Sequence, residues 1–130
     1  MVNNTGARKR RILIVDDELD LTTLFQIALE GAGFEVQTYI DPALALSDFK
    51  PGSFDLAILD IKMPQMDGFE LYEELKRNDS EIKICFLTAS EMYYEKYIKH
   101  EYDPMDRDLF IQKPISNKEL VERINKILAD

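Results

Sequence analysis

Apolar and polar positions fall in alternating blocks along this chain. Ile12-Leu13-Ile14-Val15 is an unbroken apolar run rich in β-branched residues, the pattern of a strand covered on both faces. Leu21, Leu24, Phe25, Ala28 and Leu29 then recur at helical spacing, and Gly31 and Gly33 end that helix. From Phe34 to Tyr39 apolar and polar residues alternate, which suits a strand near a sheet edge. Asp41-Pro42 has the form of an N-cap followed by proline at the first helical position. It opens a short helix carrying Leu44, Leu46 and Phe49, which Pro51-Gly52 ends. Leu56-Ala57-Ile58-Leu59 is a third strand, buried like the first. Gly68 precedes a helix that carries Phe69, Leu71, Tyr72 and Leu75, and Ile82 to Leu87 is a fourth strand. A charged, aromatic helical stretch covers about residues 90–101, and Leu109-Phe110-Ile111 is a short fifth strand. Ser116 and Glu119 have capping-box spacing ahead of a last helix, whose inward stripe is Leu120, Val121, Ile124, Ile127 and Leu128.

Five strand–helix units in alternation predict an α/β fold, a doubly wound five-stranded parallel sheet with five helices on its two faces. The 130 residues suit one domain, with a polar tail over 1–10 and the domain over 11–130. Twenty-five acids against 16 bases leave a net charge of −9, which argues against direct binding to nucleic acid or to an anionic membrane. Against that balance the Arg8–Arg11 cluster reads as solvated. The single cysteine, Cys85, excludes an internal disulfide and fits a reducing, cytoplasmic location. No apolar run reaches the length of a membrane span or a signal peptide.

The candidate chemistry sits at the strand ends. Strand one runs into Asp16-Asp17, strand three into Asp60, strand four into Thr88, and strand five into Lys113-Pro114. In a parallel sheet these side chains converge beyond the carboxyl ends of the strands, where such folds bind ligands. Three crowded carboxylates either raise one pKa strongly or hold a cation between them. An all-oxygen set suits Mg²⁺. A lysine and a hydroxyl opposite the metal would hold a phosphoryl group, and an aspartate can itself be the nucleophile that accepts one. Each residue alone is commonplace, since Asp-Asp often only caps a turn. Their joint placement at four strand ends is the signal.

These segments resemble the response-regulator receiver domains of two-component signalling, over about residues 10–129. The most specific match is Asp60-Ile61-Lys62-Met63-Pro64-Gln65-Met66-Asp67-Gly68, which looks like the family's phosphoacceptor segment. Ile12-Leu13-Ile14-Val15-Asp16-Asp17-Glu18, Phe86-Leu87-Thr88-Ala89 and Phe110-Ile111-Gln112-Lys113-Pro114 look like its other signatures. The resemblance implies a flavodoxin-like strand order 2-1-3-4-5. It implies that Asp60 accepts a phosphoryl group from a histidine kinase or a histidine phosphotransfer protein. Mg²⁺, for which Mn²⁺ could substitute, would be held by Asp17, Asp60 and the backbone carbonyl of Lys62, and by Asp16 through water. Thr88 and Lys113 would bind phosphoryl oxygens, with the small Ala89 leaving them accessible. Thr88 and Phe110 would be the switch pair, and Lys62 and Ser90 would tune the dephosphorylation rate. Met63-Pro64 and Asp67-Gly68 would shape the loop, with Gly68 permitting the turn into the third helix. The readable change would be a population shift on the face made by the fourth helix, the fifth strand and the fifth helix. It would be read by a downstream protein target or an effector domain. Such a domain is not an enzyme beyond its own phosphorylation and dephosphorylation.

The stretch from Thr88 to Lys113 is longer than the family's usual one and lacks its small Gly-Ala pair. Four of the six tyrosines, Tyr93, Tyr94, Tyr97 and Tyr102, lie there. They either pack a helix onto the sheet or form a partner or homodimer surface. His100, with no second histidine, reads as a surface residue. An aspartate-nucleophile phosphatase needs a second aspartate two residues beyond the first, whereas Asp16 and Asp17 are adjacent. A flavodoxin would place its phosphate against Asp16-Asp17-Glu18, which repels it. A receiver-like interaction module working without phosphorylation is the remaining alternative. The chain is either a stand-alone regulator or one domain of a longer protein.

Overall fold

The computed structural model describes residues 9–89 and 110–129. Its elements are β1 (Arg11–Val15), α1 (Leu19–Gly31), β2 (Glu35–Tyr39), α2 (Pro42–Asp48), β3 (Leu56–Asp60), α3 (Gly68–Asn78), β4 (Lys83–Thr88), β5 (Phe110–Gln112) and α4 (Asn117–Leu128). The helix expected near 90–101, with its tyrosines, His100 and Ser90, lies outside the described residues. The five strands form one parallel sheet in the order β2-β1-β3-β4-β5, as expected.

The central strands alternate between two apolar layers. Ile12 and Ile14 of β1 and Leu56 and Ile58 of β3 face Phe25 and Leu29 of α1 and Leu120 and Ile124 of α4. Leu13, Val15, Ala57 and Leu59 face the other way, toward Ala45 of α2 and Leu71 and Leu75 of α3. Burying each such Leu or Ile stabilises the fold by about 1.5–3 kcal/mol, which is why apolar runs rather than alternation mark these strands. β2, at the sheet edge, shows the expected half-exposed pattern.

Helix ends follow their signals. Asp41 caps α2, accepting from Ala43 N at 2.9 Å, with Pro42 at the first helical position. The Ser116 half of the predicted capping box forms, with Glu119 N donating to its hydroxyl at 3.1 Å. At the far end of α4, Lys83 donates to Ile127 O (2.9 Å) and Arg10 to Leu128 O (3.4 Å), satisfying terminal carbonyls with cations. Arg11 begins β1, pairs with Glu35, and lies over the Phe54 ring.

Two inward stripes differ from expectation. In α1, Thr22 is buried with Phe25 and Leu29, while Leu24 is 52% exposed. The Thr22 hydroxyl donates to Leu19 O at 2.8 Å, so its polarity is satisfied inside the helix. In α2 it is Ala45, not Leu44, that packs inward, and the helix ends at Asp48, before Phe49.

Candidate functional site

β1 and β3 are neighbours with Val15 opposite Leu59, so the residues that follow emerge side by side at their carboxyl ends. This is where the strand order reverses, since β1 lies between β2 and β3. Carboxylate oxygens of Asp16, Asp17 and Asp60 lie within 4.8 Å of one another. Asp16 and Asp60 are buried, whereas Asp17 is exposed.

Lys113 reaches this cluster from beyond β5. Its backbone N–H donates to Thr88 O at 2.7 Å, which carries the β4–β5 pairing one residue further and fixes where the side chain starts. The Lys113–Pro114 peptide bond is cis. The ammonium donates to Asp16 Oδ2 at 2.8 Å, lies 3.4 Å from Glu18 Oε1, and lies 3.7 Å from Asp60 Oδ1. Asp16's other oxygen, Oδ1, accepts the Glu18 backbone N–H at 3.0 Å.

The electrostatics single out Asp60. Burial first, then the Asp16 charge, push its carboxyl up to about 7; Lys113 opposes them, and the charge and hydrogen bond of Asp17 add to them. Crowded carboxylates predict a rise of this sign, but burial is its larger cause and the neighbouring acids add to it. For Lys113, burial pulls downward, but the hydrogen bond and charge of Asp16, with the charges of Asp60 and Glu18, hold the ammonium above its ordinary value. At neutral pH Asp60 is thus poised between acid and carboxylate, beside a cation that stays charged.

The loop after β3 is shaped around Asp60. Gly68 N donates to Ile61 O at 2.8 Å, folding α3 back onto the strand end. A Cβ on Gly68 would run into the Asp60 carbonyl oxygen and lie 2.9 Å from Ile61 Cα. Gly68 therefore serves close approach rather than the turn expected of it, and it is Gln65 in this loop that takes the left-handed conformation, at φ 71. Asp67 then caps α3, with Glu70 completing a capping box.

An open cleft of about 700 Å³ joins Asp17, Asp60 and Lys113 to Lys62, Thr88 and Ala89. Thr88 is buried at the end of β4, and Lys62 and Ala89 are exposed. Phe110 does not line this cleft. It is buried, its ring 5.6 Å from that of Phe86, which in turn lies 5.2 Å from Phe69 and 5.5 Å from Tyr72. Ser90 falls outside the described residues. Glu18, which the sequence offered only as part of the Asp16-Asp17-Glu18 acidic run and without a role of its own, lines this cleft and pairs with Lys113. Its signal was a third consecutive acid after β1.

A set of carboxylate oxygens at this spacing, one of them exposed, fits a hard divalent cation such as Mg²⁺. Lys113 and Thr88 line the same cleft, an ammonium and a hydroxyl of the kind that hold phosphoryl oxygens. Among the described residues, no helix is long and apolar enough to cross a membrane.

Residues 12–125 match the response regulator receiver domain family. The chain is 37% identical over 126 residues to a probable transcriptional regulator, ycf27, of Cyanidium caldarium, covering 97% of this chain and 49% of that protein. It is 34% identical over 119 residues to the alkaline phosphatase synthesis transcriptional regulatory protein PhoP of Bacillus subtilis, covering 92% and 48%. It thus spans about half the length of these relatives. Among solved structures it is similar to a CheY-like receiver domain protein of Methanospirillum hungatei, with TM-score 0.78, 29% identity, and 94% and 95% of the two chains covered. It is also similar to the response regulator TrrA of Thermotoga maritima in complex with Mg²⁺–BeF, with TM-score 0.74, 33% identity, and 92% and 99% covered. With the sheet order and the strand-end acids in agreement, the chain belongs to the response regulator receiver domains of two-component systems.

Proposed function

We propose that this domain is a phosphorylation-activated switch whose phosphoacceptor is Asp60. A carboxylate oxygen of Asp60 attacks the phosphorus of a phosphohistidine on a histidine kinase or histidine phosphotransfer protein. The P–N bond breaks, the imidazole leaves with the electron pair and takes up a proton, and an aspartyl phosphate forms. The observation that carries the reading is the placement of Asp60. It is buried at the end of β3, with a carboxylate oxygen within 4.8 Å of those of Asp16 and Asp17, and lies 3.7 Å from the Lys113 ammonium.

Asp17, Asp60 and the Lys62 backbone carbonyl are the proposed direct ligands of Mg²⁺, with Mn²⁺ able to replace it. Asp16 is assigned a contact through water, which its occupied oxygens support: one accepts from Lys113 and the other from Glu18 N. When bound, the metal supplies positive charge where charge develops on the transferring phosphoryl group and keeps Asp60 ionised. Lys113 and Thr88 hold the other phosphoryl oxygens, with the small Ala89 beside them, and Lys62 and Ser90 tune hydrolysis. Thr88 and Phe110 act as the switch pair. The change is read on the side of β5, α4 and the segment between β4 and β5. The twofold longer relatives named as transcriptional regulators support an output through an effector domain or a separate protein target.

Acetyl phosphate or beryllofluoride, with and without Mg²⁺, tests the reading by intact mass and by the amide shift of Thr88. The expected result is a Mg²⁺-dependent response in wild type that Asp60→Asn lacks. No response, or an equal one in Asp60→Asn, overturns it and leaves the phosphorylation-independent interaction module.

A further inference from the structure

Glu18 occupies the N-cap position of α1 with an extended backbone, φ −93 and ψ 102, yet its side chain makes no cap hydrogen bond. It turns instead toward the Lys113 ammonium, 3.4 Å away, while its own N–H holds Asp16 Oδ1 at 3.0 Å. One residue thus touches both members of the Asp16–Lys113 pair.

An ammonium has three donors, and three carboxylates surround this one: Asp16 at 2.8 Å, Glu18 at 3.4 Å and Asp60 at 3.7 Å. The side chains of Asp16 and Asp60 are 1% and 8% exposed, whereas that of Glu18 is 65% exposed. Losing Lys113 would leave Asp16 a buried, partly uncompensated charge. Glu18 would be rehydrated by water already beside it, so its contact is the one that yields most readily.

We infer that Glu18 is a positioning residue that occupies Lys113 in the resting state and competes with the phosphoryl group for it. The inference rests on Asp60 being the phosphoacceptor. A phosphoryl group there brings three strong acceptor oxygens within reach of the ammonium. Lys113 keeps its short bond to Asp16 and exchanges Glu18 for a phosphoryl oxygen. Releasing Glu18 is then part of the free energy of activation, and this third acid sets how far the switch leans toward rest.

The test is a beryllofluoride titration of the full chain in excess Mg²⁺, followed by the Thr88 amide shift, for wild type, Glu18→Gln and Glu18→Asp. The glutamine removes the charge. The aspartate keeps the charge but is one methylene shorter, and at an N-cap position its carboxylate is drawn to the helix N–H groups. Both variants are expected to bind beryllofluoride about two- to fivefold tighter than wild type, the range an exposed ion pair supplies. Glu18→Gln titrating like wild type overturns the inference. So does Glu18→Asp titrating like wild type while Glu18→Gln is tighter, because charge alone would then account for the effect. A wild type that does not respond at all overturns the phosphoacceptor reading and this inference with it, whereas with a responding wild type the two variants test Glu18 alone.

Discussion

Asp60 ends a strand whose other residues are wholly apolar, so its carboxyl is placed by the sheet rather than by solvent. Its raised pKa, about 7 against an ordinary 3.8, means that the folded chain binds this proton more tightly than the unfolded chain does. Without metal, Asp60 therefore withdraws stability as pH climbs from about 4 to about 7, and the withdrawal is complete above 7. Asp60→Asn removes that component. In EDTA the variant should be more stable than wild type by about 1–3 kcal/mol above pH 7 and indistinguishable from it near pH 4, as read by urea unfolding across pH. A constant difference at every pH would place the strain elsewhere than in the Asp60 charge. The strand-end acids, Thr88 and Lys113 were legible in the sequence because each follows an apolar run directly or nearly so. Glu18 was visible as the third acid of the Asp16-Asp17-Glu18 run but its role was not, because an exposed glutamate after two aspartates looks like any helix start, and only the path of Lys113 toward the end of β1 brings the two together.

At the scale of elements, what aims Asp60 is the loop that returns α3 to the end of β3. Gly68 N donates to Ile61 O, and the Asp60 backbone leaves no room for a methyl group on the Gly68 Cα. Gly68→Ala should therefore cost about 1–3 kcal/mol despite the better helix propensity of alanine, and should shift the amide signals of Asp60 and Ile61. A stabilised variant would show that the loop can move away freely. Strand identities and the caps at Asp41 and Ser116 were readable because capping chemistry and apolar runs are local, whereas the Asp67–Glu70 box was read only as part of a loop. The inward faces of α1 and α2 were less so. A buried threonine bonded to its own helix counts as polar in any pattern, and an alanine that packs closely is outweighed by an exposed leucine beside it. The glycine at 68 was visible in the sequence, but its reason was not, because it depends on a backbone eight residues away.

Across the whole molecule, the charge of −9 has two parts with different physics. Among the described residues Asp16, Asp17, Glu18 and Asp60 converge on the site with Lys113, accounting for three of the nine charges when all are ionised, and the other six come from the rest of the sequence. Spread charge repels itself weakly and is screened by any salt, with a Debye length of about 10 Å at 0.1 M. A converging cluster at the ends of β1 and β3 instead offers a saturable position to a hard dication. Thermal unfolding separates the two. At a Mg²⁺ concentration about a hundredfold above Kd the folded state gains about 2.7 kcal/mol, a rise in Tm on the order of 10 °C for a domain of this size. NaCl at matched ionic strength should give a smaller rise that does not saturate. Asp17→Asn should keep the NaCl increment, since it leaves the other surface acids in place, and lose most of the Mg²⁺ increment, since it removes the exposed member of the carboxylate cluster. Equal increments from the two salts, or a Mg²⁺ increment that survives Asp17→Asn, would mean that the acidity acts only as a diffuse field and that the cluster holds no metal of its own.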